Sequence, residues 1–258
     1  MMNLRFPPLM IVLTISILSS SHVMASEGEI DKHWNHSIEL YGQALNIRGD
    51  STVGDLSTSV DVDPRFIMDH IDIGAMLRLQ GVYENNWGYY IDYAYMKLSG
   101  KSDAVLGTDL SILNAKLDIR QGVLEAKAFK RYQYEHGTLD YMFGIRWWDN
   151  DIESSLYTNN GIIDNNKNLK VDWIDYLIGI RYITELSQHW AFHFSLDAGV
   201  GSDTDFTSSI QTGVRYTINE WSDMNIAYKS TWVDYDNQDD FAYNTATQGF
   251  LIGFAVHF

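Results

Sequence analysis

The stretch that decides the fold is the last one, residues 243–258, "YNTATQGFLIGFAVHF". From Phe250 onward the even positions are Phe250, Ile252, Phe254, Val256 and Phe258. The odd positions are Gly249, Leu251, Gly253, Ala255 and His257. Side chains alternate sides along a strand, so the stretch predicts a strand with one large apolar face and one slim face. A core strand of a soluble sandwich reads the same way, and the rest of the chain must decide between the two.

Working back from the C-terminus, ten segments carry a strand pattern: 34–48, 69–81, 87–99, 115–134, 138–151, 171–184, 189–200, 206–218, 221–235 and 243–258. A tilted strand needs ~9–11 residues to cross a bilayer, whereas globular strands average ~5–6. These segments have the longer measure. Their connections alternate in length. Short ones fall at 84–86, 135–137, 185–188 and 219–220, and longer ones at 49–68, 100–114, 152–170 and 236–242. The connection at 201–205 is short among the long ones. Short periplasmic turns and long outer loops are expected of a membrane barrel, with both termini in the periplasm.

The alternation also gives the phase. Ile174, Tyr176, Ile178, Ile180 and Tyr182 share one face of their strand, and Asp175, Gly179 and Arg181 share the other. Trp190, Phe192, Phe194 and Leu196 oppose His193, Ser195 and Asp197. Met224, Ile226, Tyr228 and Trp232 oppose Asp223, Asn225, Ala227 and Lys229. An Arg or Lys on the lipid face at mid-membrane costs roughly 2–4 kcal/mol. Turning Arg146, Arg181, Arg215 and Lys229 outward would cost on the order of ten kcal/mol, comparable with a whole domain's stability. The polar face therefore points inward. Segment 115–134 is less regular, because Leu124, Ala126 and Ala128 make a thin lipid face, and a bulge is one explanation. Trp34, Trp87, Tyr134, Trp190 and Trp221 sit near the short turns, and Trp148, Trp173, Phe206, Trp232 and Tyr243 near the long loops. They are expected to form the two interfacial girdles.

The N-terminus reads as an export signal, with Arg5 as its charged region, an apolar run over 9–18 and a small-residue cleavage site ending at Ala25. The run is about half the ~20 residues a spanning helix needs. Removing Arg5 takes the formal net charge from −16 to −17. So acidic a chain argues against nucleic acid as a partner. Cysteine is absent, which excludes disulfide and thiol chemistry. Of three prolines only Pro64 lies outside the signal, as expected of a chain that is mostly paired strand. The fold expected is all-β: a closed antiparallel up-and-down transmembrane β-barrel of ten strands over 26–258, or eight if the first or fourth segment is misread.

The segments "NNWGYYIDYAYMKLSG" (85–100), "GIRWWDNDIE" (144–153), "VDWIDYLIGIRY" (171–182), "WAFHFSLDAGVGSDTDFTSSIQTGVRYTIN" (190–219) and "WSDMNIAYKSTWVDYDN" (221–237), with the terminal Phe258, resemble those of porin-like bacterial outer-membrane β-barrel proteins. The resemblance covers most of the chain after the signal. It implies location in the Gram-negative outer membrane and carries no catalytic residues. It also implies that the last strand, with Phe254, Val256 and Phe258, is read by the barrel-assembly machinery.

For function, the expected lumen holds Glu39, Asp72, Arg78, Asp92, Glu125, Lys127, Asp140, Arg146, Asp175, Arg181, Asp197, Arg215, Asp223 and Lys229. These form either a paired network that fills the barrel or the lining of a narrow path for small polar or cationic solutes. Buried charges must be paired, and both signs are at hand. Eight strands leave an interior just filled by side chains, and ten sit near that limit. The long loops are acidic (Asp50, Asp61, Asp63, Asp149, Asp151, Asp203, Asp234 and Asp236 among others). They suit a surface protein that meets lipopolysaccharide, divalent cations or a host surface, although "DVDP" and "DYDNQDD" lack the glycine and glutamate of a calcium loop. No metal site, cofactor or catalytic set is expected, and a monomer is the default. A hydrolase is the remaining alternative, since Ser195 shares a face with His193 and Asp197. Inward residues two apart stand ~7 Å apart, too far to hydrogen-bond.

Overall fold

The computed structural model describes residues 33–53, 56–108, 111–158, 161–162, 167–238 and 241–258. The segment read as an export signal lies outside them. In chain order the elements are β1 (Trp34–Val53), β2 (Leu56–Val62), α1 (Pro64–His70), β3 (Ile71–Tyr83), β4 (Trp87–Thr108), β5 (Ser111–Tyr134) and β6 (Gly137–Thr158). They continue with β7 (Gly161–Ile162), β8 (Lys167–Glu185), β9 (Trp190–Gly201), β10 (Thr204–Asn219), β11 (Ser222–Asp236) and β12 (Phe241–His257).

Ten of these strands form an antiparallel ring in which sequence neighbours are spatial neighbours. The ring closes where β12 pairs with β1, from Ser37 opposite His257 to Val53 opposite Phe241. Closure leaves no sheet edge, so every spanning backbone group finds a partner without water, as lipid demands. The remaining strands are additions at the loop end. β2 folds back on the outer part of β1, and two-residue β7 pairs with β6.

The outward face is apolar. Ile178 is 73 % exposed, Phe250 70 %, Tyr176 69 % and Ile252 59 %, whereas Leu251 and Ala255, on the other face of β12, are buried. Exposed apolar surface on this scale would aggregate in water and is matched by a lipid belt. Glycines on the inner face make room for bulk. Gly144 stands opposite Lys127, and Gly249 opposite Lys229. A Cβ at Gly249 would overlap the Ala44 carbonyl oxygen.

Several sequence expectations change. The eight-strand alternative is excluded. No bulge interrupts the wall in question: β5 pairs with β6 residue by residue from Leu113 to Tyr134, and Glu125 and Lys127 are buried. The segments 49–68, 100–114 and 152–170 are not simple loops. β4 and β5 stay paired out to Thr108 opposite Ser111, and β5 and β6 to Leu113 opposite Thr158. The 49–68 segment holds the β1–β2 hairpin and the start of α1, whose N-cap Asp63 accepts a hydrogen bond from the Phe66 amide. Above the membrane both faces of a strand meet water, so the alternation that marks the belt fades there.

Candidate functional site

The barrel interior is the candidate site, and its side chains are layered along the axis. At the short-turn end Val82, Tyr90, Phe129 and Met142 pack together. Arg181 and Arg131 lie beside this cluster and share Asp140, which accepts from Arg181 Nη2 at 2.7 Å and from Arg131 Nε at 2.7 Å. Asp140 has no solvent exposure.

The central layer is ionic. Arg78 bridges Glu39 (3.1 Å) and Asp92 (2.7 Å). Asp92 also accepts from the hydroxyls of Tyr41 and Tyr90 at 2.6 and 2.9 Å. Glu125 receives Lys127 (2.6 Å), Lys229 (3.0 Å) and Arg146 (3.3 Å). Asp197 on β9 takes Lys127 from β5 and Arg146 from β6, at 2.7 and 2.8 Å. Arg215 reaches Glu39 and Asp223 at 3.5 and 3.4 Å, and His257 closes on Asp223 at 2.6 Å. Asp175, opposite Arg146 in register, accepts from the Trp148 indole at 3.0 Å. Bonds therefore run across the lumen between strands far apart in sequence.

Thirteen of the fourteen residues expected in the lumen lie in this assembly, and Asp72 does not. A register shift between Ile71 and Ile73 turns Asp72 out at the loop end, where it pairs with Lys97 at 3.5 Å and accepts from Ser99. The residue that sequence reading passes over is Arg131. Its odd number on β5 matches Glu125 and Lys127, so parity alone could have found it. With that exchange, the described residues place seven carboxylates (Glu39, Asp92, Glu125, Asp140, Asp175, Asp197, Asp223) beside seven cations (Arg78, Lys127, Arg131, Arg146, Arg181, Arg215, Lys229). The network balances, as charges withdrawn from water require.

The loop-side layer is aromatic. Trp148 and Trp173, expected in the outer girdle, face inward and are 2 % and 5 % exposed. Trp173 stacks on Trp148 at 5.4 Å between ring centroids and on Tyr235 at 4.0 Å. Val233 and Phe241 complete the cluster, and Tyr243, also expected in the girdle, packs against it. The same parity that sends Asp175 and Arg181 inward sends Trp173 with them. Phe206 and Trp232 do face outward. Beside this plug, Ile67 of α1 is buried against Leu45, Ile47, Met96 and Leu98, so the short helix tucks one side chain into the mouth.

The space left between these layers is small. A cavity of about 60 Å³ lies above the ions, between Met76, Val123, Trp148 and Lys229. One of about 70 Å³ lies below, among Arg78, Arg181 and Arg215. The Ser195, His193 and Asp197 trio does not assemble. The His193 Nε2 meets Asn225 at 2.9 Å, and Asp197 is held by Lys127 and Arg146. Among the described residues no group of three His, Cys, Asp or Glu is placed to hold a metal.

A closed antiparallel barrel with an apolar outer belt and an ionic interior is an outer-membrane β-barrel of the Gram-negative type. No protein-family model matches the chain, and no curated protein matches its sequence. Solved structures do. The translocator domain of the autotransporter NalP from Neisseria meningitidis is 9 % identical over 87 % of this chain and 88 % of its own, with a TM-score of 0.52. The outer membrane protease OmpT from Escherichia coli is 7 % identical over 87 % and 96 %, with a TM-score of 0.47. Neisserial surface protein A is 12 % identical over 87 % and 96 %, with a TM-score of 0.33. At such identities the likeness is one of fold alone.

Proposed function

We propose that this protein is a closed outer-membrane anchor that presents extended β-ribbons and an acidic rim at the cell surface, rather than an open diffusion pore. One observation carries the reading: each of the ten barrel strands sends buried side chains into the interior. Arg146, Asp140, Asp175, Asn225, Thr207 and Phe129 have no exposure at all. A water-filled pore would wet the residues that line it. The extended β4–β5 and β5–β6 ribbons, with Asp50, Asp61, Asp203, Asp234 and Asp236 around the rim, supply the surface that the anchor presents. Divalent cations bridging those carboxylates to lipopolysaccharide phosphates are the contact this chemistry favours.

On the same reading, residues 1–25 are an export signal removed after Ala25. The outward Phe254, Val256 and Phe258 address the chain to the assembly machinery. N-terminal sequencing of the membrane-extracted protein should begin at Ser26.

Planar-bilayer recording of the folded protein tests the closed interior. The expected result is no steady step in current; regular ohmic steps from the unaltered protein contradict it. Replacing Asp203, Asp234 and Asp236 with Asn tests the acidic rim. The barrel should still fold, with cells becoming more sensitive to detergent in low magnesium; unchanged sensitivity speaks against the lipopolysaccharide contact.

A further inference from the structure

The lower cavity differs from the rest of the interior in its charge. Elsewhere each cation faces a carboxylate. Here Arg78, Arg181 and Arg215 converge on about 70 Å³ of space whose lining contains no Asp or Glu. Their carboxylate partners Glu39, Asp92, Asp140 and Asp223 are not among the residues that line it. Two of the guanidinium groups also turn an N–H to a neutral amide, although Arg78 Nη2 keeps Asp92 at 2.7 Å as well. Arg181 Nη1 donates to Gln80 Oε1 at 2.7 Å, and Arg78 Nη2 to Gln211 Oε1 at 3.3 Å. Both glutamines line the same space, as does Ser195. A neutral amide is a weaker acceptor for a guanidinium than an anionic oxygen.

Arg215 is the least satisfied of the three. Its ion pairs are the long ones, at 3.4 and 3.5 Å, and its side chain is 30 % exposed, against 5 % for Arg78 and 9 % for Arg181. It opens the cavity toward the short-turn, periplasmic end, where half-buried Ile183 and Ala191 form the rim. One water needs ~10–15 Å³ by the same measure, so the space takes several waters or one small polyatomic ion. Planar, forked donors arriving from three walls match the several oxygens of such an ion.

We propose that the periplasmic half of the barrel interior binds one small oxyanion of the phosphate or sulfate kind, held by Arg78, Arg181 and Arg215. The anion replaces the glutamine oxygens as acceptor and gives Arg215 a close partner. It also ties β3, β8 and β10 together across the lumen. The source is either a free ion or the phosphate of a small ester, and the chemistry of the site is the same for both.

The test is calorimetric titration of the full folded protein in detergent micelles. Inorganic phosphate is added at constant ionic strength, with chloride as the only other anion. Saturable binding at one site per chain is expected. Arg215→Gln should weaken it tenfold or more, and Lys130→Gln, on the outer surface, should leave it unchanged. Should Arg215→Gln fail to fold, Ser195→Leu decides: it keeps every charge and fills the cavity, and it should abolish binding. A parallel titration with glycerol 3-phosphate separates the sources. Binding of phosphate alone indicates the free ion, and equal binding of both admits the ester. Absence of saturable binding, or binding that survives both Arg215→Gln and Ser195→Leu, overturns the proposal.

Discussion

Two neighbouring layers of the barrel interior obey the same alternation and contain opposite chemistry. In the middle of the barrel, above the short-turn cluster of Val82, Tyr90, Phe129 and Met142, the inward positions are ions, such as Arg146, Asp175, Asp223 and Lys229. Toward the loops they are rings, with Trp148, Trp173 and Tyr235 on the same strands and the same parity. The difference teaches that period two fixes where a side chain points and says nothing about what it meets there. Inside a closed barrel the neighbours come from strands as far apart as those of Glu39 and Asn225, 186 residues away in the chain, so polarity cannot be inferred from facing inward.

Substitutions can break that contrast. The largest expected effect is in the ionic layer. Arg146→Met removes one ion-pair partner each from Glu125 and Asp197, and with it the cation that stands opposite Asp175 in register. Removing one side of a buried pair typically costs about 3–5 kcal/mol. Urea unfolding from lipid vesicles should register a loss in that range, and a loss below about 1 kcal/mol would mean that water reaches the network. In the aromatic layer, Trp173→Ala should cost about 3 kcal/mol, the toll of a cavity left by a large ring. It should also raise leak current through the loop-side mouth. A stability loss without any change in leak would place the seal elsewhere, at Ile67 and its neighbours.

The outer belt supplies the next contrast. Ile178→Arg puts a charge into lipid at mid-strand and should cost about 2 kcal/mol or more. The same change at Asp50, exposed on the outer part of β1, should cost little. The smallest effect belongs to the exposed pair above the membrane. Arg48 meets Asp61 at 3.1 Å, with both side chains more than 60 % exposed. Arg48→Ala should shift stability by ~0.2–1 kcal/mol at most. Comparable losses for Arg48→Ala and Arg146→Met would erase the distinction between solvated and buried ions.

These contrasts also show what could be read from the chain beforehand. Lipid punishes an outward charge and backbone pairing forces closure, so the ten belt strands and the inward direction of the ions were legible from residues such as Ile178 and Arg181. Asp72 was not, because a register shift of one residue reverses a side chain without leaving a mark in the local pattern. Trp148 and Trp173 were legible in direction, and they were misassigned because aromatic residues near strand ends also suit a membrane interface. The ribbons beyond the belt were not legible, since strands wet on both faces have no phase to display. The three-arginine cavity depends on which partner each guanidinium meets across the lumen, and that is a property of the closed ring rather than of any segment.

The central claim is that the outside of the wall meets lipid and the inside is filled. The absence of native cysteine allows single thiols to be placed at will. Ile178→Cys faces outward at mid-strand, and Thr207→Cys and Ser209→Cys face inward. In folded protein in vesicles, a membrane-impermeant maleimide should leave all three unlabelled, and a lipid-soluble maleimide should label Ile178→Cys alone. Rapid labelling of Thr207→Cys or Ser209→Cys by the impermeant reagent would mean a water-filled lumen and contradict the account.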